Sequence, residues 1–113
     1  MAAAAICHIK GGDYRQLGHA CAMALKNLMG LVCDPVAGLV EVPCVKRNVG
    51  GAVNALAAAD MALAGITSQI PVDQVIDAMK EVGDKMDVSL RETALGGVAT
   101  SPRGMEVSEK LNS

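Results

Sequence analysis

An all-α fold is predicted by three features of this 113-residue chain. Apolar residues recur at helical spacing in several stretches, those stretches end at glycine or proline, and strand-type alternation persists nowhere. The expected architecture is a compact helical bundle of about five helices, interrupted by an irregular cysteine-bearing loop over residues 31–48.

The chain opens on Met1-Ala2-Ala3-Ala4-Ala5-Ile6, which reads as the tail of a helix. It has neither the basic n-region nor the apolar h-region of a signal peptide. Asp13 followed by Gln16 has the form of a capping box. Leu17, Ala20, Cys21, Ala24, Leu25 and Leu28 then share one helical face, and Gly30 takes the position just past the helix end.

From Leu31 to Asn48 the pattern changes. Pro35, Pro43 and Gly38 rule out one continuous helix. The stretch is nevertheless apolar (Leu31, Val32, Val36, Leu39, Val40, Val42, Val45), so it is expected to be buried. Buried irregular backbone needs partners for its polar groups, and a bound cofactor that accepts N–H bonds would supply them.

Val49 to Ala64 is expected to form an Ala-rich helix closed by Gly65, burying Val49, Val53, Leu56 and Leu63 with Asp60 close to that face. A further helix starts with Pro71 in its first turn. It would bury Val72, Val75, Ile76, Met79, Val82 and Met86 and turn Asp73, Asp77, Lys80, Glu81 and Lys85 to water. Ser89-Leu90-Arg91-Glu92 has the capping-box form and predicts a short fifth helix stopped by Gly96-Gly97. The polar tail after Gly104 is expected to fray.

Composition narrows the function. The chain is 51% apolar, yet Tyr14 is its only aromatic residue, so Ala, Val, Leu and Met must fill the interior. A core of small side chains stabilises weakly, which suggests that these helices pack against more than this chain supplies. A net charge of −2 with no basic run leaves no electrostatic footprint for nucleic acid. The longest uncharged stretch, Val49 to Ala59, is far short of the roughly 20 residues a bilayer requires. The lack of an export signal points to the cytoplasm, where thiols stay reduced. The four cysteines are then packed thiols or metal ligands, and not disulfides.

Cys33 and Cys44 lie in the irregular segment, each beside a proline or one residue from it. Their spacing fits neither a zinc finger nor a Cys-x-x-Cys redox motif. A short helix starting at Asp34-Pro35 would place N–H groups where they favour a thiolate or an anionic cluster. Lys46 and Arg47 could balance a thiolate-rich site or bind a substrate carboxylate, and equally fit a solvated surface pair. Cys21 reads as a core thiol, Cys7 and His8 as structural or incidental, and His19 as a helix-surface residue. No catalytic triad, phosphate loop or Schiff-base lysine site is evident.

The run from Gly30 through Cys33-Asp34-Pro35-Val36-Ala37-Gly38 to Val42-Pro43-Cys44-Val45-Lys46-Arg47-Asn48 resembles the cysteine-bearing signature of iron–sulfur-dependent L-serine dehydratases. The resemblance continues through Gly51–Ala55, Ile70–Met79 and Leu90–Gly97, and covers roughly Ala20 to Gly104. It implies that residues 1–113 are part of the cluster-binding α domain, without that domain's N-terminal portion and without the β domain. It implies a 4Fe–4S cluster held by three cysteines, with Cys33 and Cys44 matching two. The third would come from an upstream Ser-Cys-Gly segment that this chain lacks, so the fragment alone is expected to hold no stable cluster and to be inactive. Lys46, Arg47 and Asn48 are candidates for substrate or cluster contact; the catalytic base is not identified. The implied partners are L-serine, a β domain or subunit, and further copies in a homo-oligomer. Two other readings stand beside it: a related cluster-dependent lyase acting on cysteine or another β-substituted amino acid, and a helical interaction module whose cysteines only pack.

Overall fold

Five helices appear in the computed structural model, which describes residues 1–113: α1 Ala2–Ile9, α2 Tyr14–Asn27, α3 Cys44–Leu63, α4 Val72–Lys85 and α5 Pro102–Asn112. Short 3₁₀ turns cover Val36–Gly38, Val88–Leu90 and Gly97–Thr100, and no strand forms, so the fold is all-α as expected. No helix is long and apolar enough to cross a membrane. The chain divides into two compact units, Met1–Gly30 with Gly50–Asp84, and Leu31–Val49 with Lys85–Ser113.

In the first unit, α2 begins as its sequence dictates. The Asp13 carboxylate accepts the Gln16 N–H at 2.9 Å and the Gln16 side chain accepts the Asp13 N–H at 2.9 Å, closing the capping box. The turn before it is tight: a Cβ on Gly12 would stand 2.5 Å from the Cys7 sulfur. Cys7 is itself fully buried in the core, whereas Cys21, the thiol expected there, is only half-buried.

The core of this unit is built almost entirely from small residues: Ala3 and Cys7 from α1, Ala20 and Met23 from α2, and Ala55, Ala58, Ala59 and Ala62 from α3. This overturns the expected inner face of α3. Val49, Val53 and Leu56 are exposed, and the alanine stripe points inward. The reason is steric, since alanine on both sides lets helix axes approach more closely than branched residues would. On α2 the predicted stripe is met in part: Ala20 is buried and Leu17 and Ala24 pack against the core, Ala22 and Met23 are buried beside them, and Leu28 is exposed. Of the predicted stripe on α4 only Val75 is fully buried; Ile76, Met79 and Val82 remain exposed.

His19 is not a free surface residue. Its Nδ1 accepts the Ser68 N–H at 3.1 Å, while the Ser68 hydroxyl accepts from Lys26 Nζ at 2.8 Å and donates to the Ile70 carbonyl at 2.6 Å. That network ties the loop preceding α4 to α2.

The second unit corrects three expectations. The irregular segment ends at Pro43, and Cys44, Lys46, Arg47 and Asn48 form the opening turns of α3. Proline is well placed just before a helix, and Gly50-Gly51 does not interrupt α3 because neither residue has to leave helical geometry. The fifth helix does not start at Ser89. The Asp87 side chain takes the Ser89 N–H at 2.8 Å and chain pairing takes the next backbone groups. Instead α5 arises from the tail that was expected to fray, where Ser101 caps the Gly104 N–H and Pro102 opens the first turn. Burial is also narrower than expected: Asp34, Pro35 and Val36 are buried, but Leu31, Leu39, Val40, Val42 and Val45 are exposed.

Candidate functional site

The second unit gathers the two cysteines singled out by the sequence. Cys33 lies in extended backbone paired with residues 90–92: its N–H donates to the Leu90 carbonyl at 2.9 Å and its carbonyl accepts the Glu92 N–H at 2.7 Å. Cys44 opens α3. Both thiols are free and half-buried.

Strained backbone lies between them and also from the Cys33-paired residue 92 onward. Val36 N–H donates to the Val42 carbonyl at 3.0 Å, folding residues 36–42 into a loop. Ala37, Glu92 and Ala94 adopt left-handed backbone at φ 54°, 66° and 56°. Side chains other than glycine's disfavour this region, and such residues collect where surrounding structure over-determines them, often at functional sites.

Asp34 is the electrostatic anchor. Its side chain is only 2% exposed, yet it is fully partnered. One oxygen accepts from Arg47 Nη1 at 2.5 Å and the other from the Val98 N–H at 2.6 Å. Burial pushes this carboxyl upward, but the Val98 N–H, the Arg47 guanidinium and its own backbone outweigh that and hold it below the ordinary carboxylate value. The same Arg47 nitrogen also donates to the Val32 carbonyl at 2.9 Å. The guanidinium is therefore engaged with the protein. Lys46 and Asn48, its neighbours on α3, are exposed.

The Cys33 thiol is pushed upward, first by burial and then by the negative charges of Glu92, Cys44 and Asp34; Arg47 opposes them. Cys33 and Cys44 thus sit in one electrostatic neighbourhood. With its pKa raised, Cys33 is a protonated thiol at neutral pH, and binding a metal there releases a proton.

No set of three or more His, Cys, Asp or Glu side chains stands close enough to hold a metal ion. The donor set is a pair of thiols, which fits two corners of a thiolate-held cluster and does not close a site by itself. Cys7 belongs to the core of the other unit and Cys21 to α2 of that unit. Sequence reasoning missed Asp34 as an anchor and Glu92 as a neighbour of Cys33. An acid inside an apolar run, with an arginine a short distance on, was the available signal for the first; nothing local marked the second.

Comparison with known proteins gives a consistent result. A family model described as the serine dehydratase alpha chain matches residues 1–99. The probable L-serine dehydratase, alpha chain, of Bacillus subtilis is 62% identical over 111 residues, covering 98% of this chain and 37% of that protein. The corresponding protein of Latilactobacillus sakei is 59% identical over 111 residues, 98% of this chain and 53% of the relative. The L-serine dehydratase, alpha chain, of Peptoniphilus asaccharolyticus is 50% identical over 107 residues, 95% of this chain and 37% of the relative. The chain therefore spans between 37% and 53% of the length of these relatives.

Proposed function

Because the chain belongs to the serine dehydratase alpha-chain family, we propose that it is part of an enzyme that eliminates water from L-serine to give pyruvate and ammonia. The observation that carries this reading is that Cys33 and Cys44 are free, half-buried thiols of the same unit, with Arg47, one turn after Cys44, bonded to the residues on either side of Cys33. Free thiols in one unit are suited to a thiophilic metal centre.

On this reading Cys33 and Cys44 would be two of the ligands of a 4Fe–4S cluster, which would supply Lewis-acid polarisation of the serine β-hydroxyl. The third thiolate comes from the part of the relatives' length that these residues do not span. The 113 residues alone then bind iron weakly and turn over no serine.

The remaining roles fall to exposed groups on the opening turns of α3. Lys46 carries a cation and Asn48 an amide suited to a substrate carboxylate, while Arg47 Nη1 is committed to Asp34 and Val32. The relatives' designation as an alpha chain supports a β chain or β domain as partner.

The test uses the full-length protein that contains this chain. Cys33→Ser and Cys44→Ser are each expected to abolish pyruvate formation from L-serine and to lower bound iron. Unchanged iron and turnover in either variant overturns the proposal. Faster turnover of L-cysteine than L-serine by the unmodified protein would instead favour the related lyase.

A further inference from the structure

We propose that the Asp34–Arg47 ion pair is a positioning device that holds the Cys33 and Cys44 thiols at a fixed spacing. The proposal rests on the reading that these thiols share a metal centre, but its geometry stands on its own. Arg47 lies one helical turn after Cys44, at the start of α3. From there a single guanidinium nitrogen reaches both chain neighbours of Cys33: the Val32 carbonyl at 2.9 Å on one side and the Asp34 carboxylate on the other. The helix that carries one thiol therefore grips the segment that carries the other, on either side of the sulfur-bearing residue.

Asp34 extends the grip. Its second oxygen takes the Val98 N–H at 2.6 Å, so the Cys33 segment is fixed against the 3₁₀ turn Gly97–Thr100 as well. Stability alone does not account for this arrangement, since a buried ion pair recovers little more than its desolvation cost and an apolar pair could fill the space. What the ion pair adds is direction: a planar guanidinium and a carboxylate bond only in certain orientations, which restricts how Cys33 can move relative to Cys44.

The spacing can be read without metal. Dibromobimane becomes strongly fluorescent once two thiolates have each displaced one of its bromides. On the 113-residue chain, its bridging of Cys33 to Cys44 is followed by peptide mapping. Rates are normalised to monobromobimane labelling of the same two cysteines, which removes changes in thiol acidity. Arg47→Met and Asp34→Asn are expected to slow normalised bridging by about fivefold or more, as removal of one member of a buried pair frees the other. Arg47→Lys should fall between these variants and the parent chain, since it keeps the charge and loses the fork. Each variant is assayed well below its unfolding midpoint. A merely structural role would lower that midpoint and leave bridging unchanged, and parent-like bridging in Arg47→Met would overturn the proposal. If Arg47→Met does not fold, Arg47→Lys decides: slower bridging supports positioning and the parent rate overturns it. Because the assay contains no iron, failure of the cluster reading shows separately, as unchanged iron content in Cys33→Ser of the full-length protein.

Discussion

The Asp34 carboxylate occupies the space into which a side chain on residue 97 would project: a Cβ built on Gly97 falls 2.7 Å from the Asp34 Cγ. Gly97 also has left-handed backbone, at φ 63°. Gly97→Ala is expected to destabilise the second unit by about 2–5 kcal/mol, with ~1–2 from backbone conformation and ~1–3 from displacing a hydrogen-bonded buried carboxylate. Urea unfolding measures it. Gly83→Ala is the comparison, because a Cβ there meets nothing within 4 Å on helix α4, and it should stabilise by about 0.5–1 kcal/mol.

How much of this was legible in the sequence depended on whether a signal was local. The Asp13–Gln16 box, the glycine stops and the Cys33–Cys44 segment were readable because each is set by neighbours a few residues away. The inner face of α3 was not, because hydrophobicity ranked Val53 and Leu56 above Ala55, Ala58, Ala59 and Ala62. Close approach of α1 and α2 reversed that ranking. Ser101-Pro102 carried a legible helix start that the polarity of the tail obscured. Arg47 and Val98 as partners of Asp34 are long-range contacts with no periodic trace.

Acid should weaken the chain through Asp34 in a defined direction. Its pKa in the fold lies below the ordinary value, so its contribution is fully present above about pH 4 and is lost as pH falls through its lowered folded value. Asp34→Asn removes that contribution. The stability difference between the parent chain and this variant is expected to shrink on acidification below the ordinary carboxylate value. Asp87, also held low by the Ser89 hydrogen bonds, titrates in both proteins and cancels in the comparison. A constant difference from neutral to strongly acidic pH would contradict the assignment.

Thiol reactivity gives an independent measure of the site's charge. Burial, Glu92, Cys44 and Asp34 raise the Cys33 pKa, so its thiolate fraction at neutral pH is smaller than that of a free cysteine. Iodoacetamide should therefore label Cys33 slowly, faster as pH rises. Glu92→Gln removes one of the raising charges and should speed labelling at a given pH. Mass-spectrometric rates for the Cys33 peptide check this, and slower labelling in the variant would contradict it.

The alanine core sets a limit on what the first unit tolerates. Ala58 and Ala59 are fully buried among Ala3, Cys7, Ala20 and Met23, with the larger Ile6, Leu17, Met61 and Leu63 packed around that cluster. Ala58→Leu adds three carbons to an interior already closed by small residues, so helices must separate or rotamers must strain. The expected cost is about 1–3 kcal/mol. Lys10→Ala, which removes the 2.9 Å ion pair between the largely exposed Lys10 and Asp60 side chains, should cost about 1 kcal/mol or less. Urea unfolding of the two variants tests which interaction holds α1 and α3 together. Equal losses, or a larger loss from Lys10→Ala, would mean that surface charge and not close helix contact carries the unit; the greater loss from Ala58→Leu would place the stability in the contact itself.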